Sequence, residues 1–266
     1  MPRKSARPEE KVFEHIAEAL TVLRLPVMRK AVEEALAQPQ PQLSRIEWLW
    51  SILEPQVRQR TESRVERRIK AARLPERKTF EGFDFDFQPT LDRDLVLDLA
   101  TLKFADQGKN VLLAGKSGTG KSHIALALGL NACAANRWVR YTSSADMLTA
   151  LNASLADDTL AKRLKDYTRP EVLIIDEVGL EQVERDEARR AGLMQKVLLP
   201  RYKERLSTII TSNIAWDAWG DYLGDHLGAS AILDRLVHRS HIIVIDGPSW
   251  RDHEHKLQLK ESRKAP

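Results

Sequence analysis

Apolar positions along the chain follow two different spacings. Over residues 11–37, Val12, Ile16, Ala19, Leu20 and Leu23 recur at steps of three and four, which places them on one helical face. Pro26 interrupts the run, and Met28, Val32, Ala35 and Leu36 resume it. Alternating Gln and Pro over 38–42 break the pattern. Ser44, with Glu47 three residues on, fits a capping box, and Ile46, Trp48, Leu49, Ile52 and Leu53 follow it. A separate basic helix is expected over 56–72. Residues 1–78 thus read as a small all-helical domain and 79–90 as a connector. Four phenylalanines in so short a connector (Phe80, Phe83, Phe85, Phe87) are expected to anchor it against the next domain.

From residue 91 the pattern changes to helix-length segments alternating with short, apolar, β-branched runs. The runs at 110–114, 139–142, 172–175, 208–211 and 242–245 are the expected strands. Such an alternation predicts an α/β domain over 91–252, with a parallel sheet covered on both faces. The segment 144–168 is long enough for two helices. Residues 253–266 read as a polar C-terminal tail.

Composition narrows the picture. Of 266 residues, 42% are hydrophobic and 30% charged, which suits a folded chain and not a disordered one. No run of about 18 apolar residues predicts a membrane span, and the charged start MPRKSARPEEK has no apolar signal region. The single Cys133 excludes an internal disulfide or a cysteine zinc cluster. A cytoplasmic setting is the expectation. The formal net charge of +4 hides an asymmetry: residues 1–80 carry 17 basic and 11 acidic side chains, and the remainder 25 and 27. The densest stretch, 58–78, has nine basic residues against three acidic. A basic surplus of this kind points to a polyanion, while interleaved Glu62 and Glu66 also fit a solvated, salt-bridged helical face.

The strongest chemical signal is Gly115, Lys116, Ser117, Gly118, Thr119, Gly120, Lys121 and Ser122, a full G-x-x-x-x-G-K-S phosphate loop. An expected strand precedes it and an Ala/Leu-rich helix over 121–135 follows. Glycines let backbone N–H groups surround phosphate oxygens at a helix N-terminus. Lys121 can reach the β- and γ-phosphates of ATP, and the Ser122 hydroxyl can sit on Mg²⁺. A second signal is the apolar run 172–175 ending in Asp176 and Glu177. Acids at a strand's carboxyl end face the ligand in open α/β sheets. Asp176 would hold Mg²⁺, and Glu177 would orient an attacking water. A third run ends in Thr211, Ser212 and Asn213, which places Asn213 to contact the γ-phosphate or that water. His123 reads as a helix-face residue.

Together these residues resemble the IstB-type ATPases, helper proteins of insertion-sequence transposases within the AAA+ superfamily, near the DnaC loaders and DnaA initiators. Leu23-Arg-Leu-Pro26, Phe83-Asp-Phe85, Ile232-Leu-Asp-Arg-Leu236 and Ser249-Trp-Arg251 extend the likeness over residues 12–252. The resemblance implies an AAA+ core with five parallel strands in order 5-1-4-3-2, without a full C-terminal lid domain. It also implies a homo-oligomer with ATP at subunit interfaces, in which Arg235 is the trans-acting arginine finger. The residues alone do not separate Arg235 from Arg239, and an Asp234–Arg235 surface ion pair is the plain alternative. Arg251 matches a position near the nucleotide. Lys116 and Ser117 stand where many relatives have two prolines, and both are expected to project outward.

The function expected is an ATPase that assembles on double-stranded DNA in its ATP state and recruits or regulates its cognate transposase, with hydrolysis driving disassembly. DNA contact is expected to be largely nonspecific, through Arg58, Arg60, Arg64, Arg67, Arg68 and Lys70. Lys162, Arg163 and Lys165 are expected to add to it from the segment that carries an extra DNA-channel helix in initiators and loaders. A DnaC-like helicase loader and a non-hydrolysing nucleotide-dependent scaffold are the alternatives. A small-molecule kinase would leave the basic helices, Asn213 and Arg235 unexplained.

Overall fold

The computed structural model describes residues 8–38, 42–180 and 187–262. The start of the chain, the Pro-Gln run at 39–41 and the end of the expected tail at 263–266 lie outside the described residues. By density of internal contact the chain divides into two units, Met1–Arg67 and Arg68–Pro266.

In the first unit α1 (Pro8–Val22) and α2 (Pro26–Ala37) are separated where the pattern breaks. Pro26 takes the first turn of α2, where its missing N–H costs nothing. Leu20, Val32 and Ile52 form the core, with Phe13, Leu25 and Met28 against them. Gln56 lies buried and its Oε1 accepts from Val27 N and Met28 N (3.2 Å each), satisfying two open donors at the start of α2. The capping box forms: Glu47 N donates to Ser44 Oγ (3.3 Å), and Ser44 N donates to Glu47 Oε2 (2.8 Å). The structure corrects one expectation. In place of two helices there is one, α3 (Arg45–Ala72), running through Pro55. An interior proline costs about 3 kcal/mol. Buried Ile52 and Gln56 flank it on both sides, and the Glu54–Arg58 pair spans it, so the helix is held across the break.

The second unit begins with the end of α3 and the connector, then α4 (Arg93–Ala100), whose N-cap Asp92 accepts from Leu95 N (2.9 Å), and the short α5 (Lys103–Asp106). The alternating part follows in chain order. First come β1 (Asn110–Gly115), α6 (Lys121–Ala134), β2 (Val139–Ser143), α7 (Ser144–Ala156), α8 (Leu160–Thr168) and β3 (Val172–Val178). Then come α9 (Glu187–Lys203), β4 (Ser207–Ser212), α10 (Trp219–Leu223), α11 (His226–Val237), β5 (Ser240–Ile245) and α12 (Trp250–Ser262). Helix α12 carries most of the polar stretch read as a tail.

All strand pairs are parallel, and the sheet order is β2-β3-β4-β1-β5. This is the order 5-1-4-3-2 read from the other edge. Strands β1, β3 and β4 are buried almost throughout, which is why their residues read as continuous apolar runs. The edge strand β5 departs from that expectation: Ile243 and Ile245 are buried, whereas Ile242 and Val244 are 41% and 58% exposed. One face of β5 therefore lacks the cover that the interior strands have.

The order matters for chemistry. Inserting β4 between β1 and β3 sets three carboxyl ends side by side. The phosphate loop leaves β1, the paired acids end β3, and Asn213 follows β4, so residues far apart in sequence meet at one rim.

Candidate nucleotide site

The phosphate loop spans the gap from β1 to α6, and two of its glycines are required by shape. Gly118 (φ +80°) and Gly120 (φ +96°) occupy left-handed backbone. An added Cβ would meet Ser249 Oγ at 2.2 Å and Phe83 Cε2 at 2.6 Å respectively. The loop is thus hemmed on one side by the connector and on the other by the start of α12. Trp250 N donates to Gly118 O (2.9 Å), and Ser249 Oγ accepts from Asp252 N (3.3 Å) as the helix begins. Phe87 packs edge-on against Trp250 at 4.9 Å, and Gln88 Nε2 donates to Pro248 O (2.8 Å). On the other side His123 Nε2 donates to Thr79 O (2.8 Å), and its ring lies 5.2 Å from Phe83. Phe83 and Phe87 therefore anchor the connector around the phosphate loop, and His123 is a helix-face residue that clamps it.

Lys121 is buried, and its ammonium donates to Gly115 O (2.8 Å) and Lys116 O (2.7 Å), folding back on the loop. Burial lowers its pKa to about 8, against the pull of Asp176 and Glu177 and with a small push from Arg251. A desolvated cation at the mouth of a helix N-terminus is short of counter-charge, which is the condition a phosphate relieves. Lys116 and Ser117 are exposed, as their outward placement requires. Lys116 pairs with Asp246 at 3.5 Å, and Arg251 Nη1 reaches Ser117 Oγ at 3.5 Å.

Asp176 lies buried near the carboxyl end of β3. Its Oδ1 accepts from Ser122 Oγ (2.9 Å) and from Thr211 Oγ1, and its Oδ2 accepts from Tyr141 OH (3.0 Å). Burial, reinforced by the charges of Asp176 and Glu177, pushes the Tyr141 phenol well up, so it stays a protonated donor. The Ser122 hydroxyl and Asp176 carboxylate form a hard-oxygen donor set that suits Mg²⁺. Glu177 adopts left-handed backbone (φ +63°), uncommon for a residue with a side chain. Here the β3–β4 register shifts between Ile175 and Val178, and Glu177 N donates to Thr211 Oγ1 (2.8 Å). The ladder resumes with Asn213 N donating to Val178 O (3.1 Å). This bulge breaks the strand's alternation, so Glu177 lines the same cavity as Lys121, Ser122 and Asn213. That cavity holds about 480 Å³ and is also lined by Phe83, Phe87, Trp250 and Arg251.

Arg235 lies elsewhere. It lines a separate, small cavity with Asn110, Thr208 and Arg239, at the amino ends of β1 and β4 and away from its own phosphate loop. Arg235 Nη1 donates to Ala231 O within α11 (2.5 Å), while the Arg239 guanidinium stacks over Tyr202 at 5.0 Å. Among the basic residues, Arg60, Arg64, Arg67 and Lys70 are exposed along α3, and Lys162, Arg163 and Lys165 along α8. Several of these basic residues also carry structural ties: Arg58 to Glu54, Arg60 to Arg24 O (3.4 Å), Arg67 to Ser63 O (3.2 Å), Arg163 to Asp166 (3.2 Å), and half-buried Arg68 to Asn136 Oδ1 (2.7 Å).

Sequence reading missed Tyr141, Gln88 and Trp250 at this site and gave Thr211 no role. Only a polar position on a buried strand could have flagged Thr211, and Tyr141 sits in the mostly polar run of β2, where nothing marks it.

Fold and site together define a P-loop nucleotide-binding protein with an AAA+ core. The description of the IstB-like ATP binding proteins matches residues 18–258, and the chain belongs to that family. It is 38% identical over 247 residues to the insertion sequence IS21 ATP-binding protein of Pseudomonas aeruginosa, covering 92% of this chain and 89% of that one. It is 34% identical over 252 residues to the IS5376 counterpart of Geobacillus stearothermophilus, covering 94% and 98%. Among solved structures, DnaI aligns with a TM-score of 0.52 at 22% identity, over 64% of this chain and 91% of that one. The replication initiator DnaA bound to AMPPCP and single-stranded DNA aligns with a TM-score of 0.53 at 22% identity, over 69% and 54%. These two likenesses speak for the fold.

Proposed function

We propose that this protein is a cytoplasmic ATPase that serves an insertion sequence, assembling on double-stranded DNA in its ATP state and recruiting or regulating the cognate transposase. One observation carries the enzymatic part: Lys121, Ser122, Glu177 and Asn213 share one cavity, and buried Asp176 accepts from the Ser122 hydroxyl. A pocket that only bound nucleotide would not need Glu177 turned into it through a left-handed residue. Ser122 and Asp176 would hold Mg²⁺, which when bound supplies charge neutralisation to the phosphates. Lys121 binds the phosphates electrostatically, Glu177 orients the attacking water and takes its proton, and Asn213 holds the far side of the reacting group. Arg251 closes over the loop from α12.

Arg235 supports the oligomeric part of the reading. It sits at the amino ends of the strands, so it serves a neighbour's site and not its own. The family and its relatives, named for insertion sequences and ATP binding, support the client. The exposed cations of α3 and, separately, those of α8 are the proposed DNA contacts, meeting phosphates and not bases. We assign this role to residues 1–78 together with 144–168, and the nucleotide chemistry to 91–252.

A mixing experiment tests the shared site. Lys121→Ala and Arg235→Ala are each expected to abolish DNA-stimulated ATP turnover, and an equimolar mixture to regain it. In the mixture an intact phosphate loop meets an intact arginine across one kind of interface. No recovery, or turnover by Arg235→Ala alone, would remove Arg235 from that role. No turnover by the unaltered protein with or without DNA would leave a nucleotide-dependent scaffold.

A further inference from the structure

We infer that the Thr211 hydroxyl is the positioning group that sets both acids of the site, orienting Asp176 for the metal and Glu177 for the water. The inference deepens the ATPase reading and rests on it.

Thr211 is the next-to-last residue of β4 and is almost wholly buried at 1% exposure. Its hydroxyl makes two bonds of opposite sense. It donates its single proton to Asp176 Oδ1 and accepts from Glu177 N at 2.8 Å. No other side chain among the described residues is bonded to both acidic positions. The second bond falls where the β3–β4 register shifts, so it replaces a ladder bond that the bulge removes. The Glu177 N–H is thereby satisfied in the left-handed conformation, and the side chain is carried to the cavity side. Without the hydroxyl, Glu177 N would be a buried donor without its partner, and Asp176 would lose the donor that shares Oδ1 with Ser122. Ser122 is the group the metal would draw away from Asp176. Thr211 and Tyr141 then remain to hold the carboxylate.

The residue type fits this role closely. Serine keeps the hydroxyl, whereas valine keeps the branched shape but has neither donor nor acceptor. The full-length protein is therefore compared with Thr211→Val and Thr211→Ser in two assays. In steady-state turnover, Thr211→Val is expected to lower kcat by about tenfold or more, with KM for ATP within about threefold. Thr211→Ser is expected to stay within about threefold in both. In equilibrium binding of a fluorescent ATP analogue, Thr211→Val should match the unaltered protein without Mg²⁺ and lose most of the gain that Mg²⁺ confers. The second assay needs no hydrolysis.

Unchanged kcat and an unchanged Mg²⁺ gain in Thr211→Val would overturn the assignment. Loss of Mg²⁺-free binding in Thr211→Val, without rescue in Thr211→Ser, would also overturn it, since the residue would then only hold the strand together. If the unaltered protein shows no turnover at all, the ATPase reading falls. The Mg²⁺ gain then decides the Asp176 half alone: its loss in Thr211→Val supports that half, and its retention ends the assignment.

Discussion

The left-handed backbone at Glu177 makes stability and chemistry separable at one position. A residue with a Cβ costs about 1 kcal/mol or more at φ +63°. Glycine removes that cost but loses more chain entropy on folding, which returns about 0.5 kcal/mol or more of the gain. Two variants therefore isolate the strain: Glu177→Ala and Glu177→Gly both remove the carboxylate, and only the second relaxes the backbone. Both keep the bond from the residue 177 N–H to Thr211 Oγ1, which is a backbone bond and common to the pair. The expected difference is about 0.5–1 kcal/mol in favour of glycine. In a unit of this size that is roughly 1–4 °C in melting temperature. Turnover should fall in both by about a hundredfold or more, the usual loss for a missing acid–base group. Paired thermal melts followed by circular dichroism, with phosphate release on the same samples, give both readouts. A glycine variant that melts at or below the alanine variant would refute the strain at Glu177. A variant of either kind that hydrolyses ATP at the normal rate would refute the role of the carboxylate.

Three further expectations follow from other groups. Lys121 has its pKa lowered to about 8 from 10.5, so the fold binds fewer protons than the unfolded chain between those values. Stability then rises with pH across about 8–10.5, and the cost of the buried charge, at most about 3 kcal/mol, is fully present below pH 8. Lys121→Met should melt higher than the unaltered protein at pH 7, lose nucleotide binding, and lose most of its thermal advantage by about pH 10.5; parallel pH profiles would refute this. Cys133 is fully buried and burial pushes its thiol up to about 11, so a thiol reagent at pH 8 should modify it only after unfolding. Rapid labelling of the native protein would mean that α6 opens. Replacing Arg60, Arg64 and Arg67 together by Gln should weaken binding to any duplex alike and flatten its salt dependence by up to about one log unit per lost phosphate contact. An unchanged slope would move the DNA surface off α3.

How much was legible depends on where the determining contacts lie in sequence. The phosphate loop, the capping box and the apolar strands are written in contiguous residues whose spacing sets local backbone geometry. Their existence and near boundaries could therefore be read directly. The separate helix expected over 56–72 failed because burial overrides the local cost of Pro55: Ile52 and Gln56 pin both sides of the proline. Arg201 shows the same limit more sharply. It reads as one more basic residue near the end of α9, yet it is 1% exposed. Its guanidinium donates to Tyr167 O (2.9 Å), Pro170 O (2.7 Å), Ser207 O (2.5 Å) and Thr208 Oγ1 (3.0 Å), stitching the end of α8 to the start of β4. No run of neighbouring residues announces that, because all but one of these acceptors are main-chain carbonyls and all are supplied by other segments.

The candidate site divides along the same line. Asp176 and Glu177 were found because they sit next to each other after an apolar run. What makes them usable comes from elsewhere: Tyr141 lies 35 residues away, Thr211 lies 34 residues from Glu177, and the connector's Gln88 meets Pro248 across 160 residues. The first two contacts exist only because β2 and β4 flank β3 on either side. A strand order can be inferred from family resemblance, but the bulge at Ile175–Val178 cannot, since it depends on how two strands share one hydroxyl at their ends. Regular alternation along β3 would have sent Asp176 and Glu177 to opposite faces of the sheet. Both acidic positions therefore meet one hydroxyl, that of Thr211, only at the irregularity that the sequence pattern conceals.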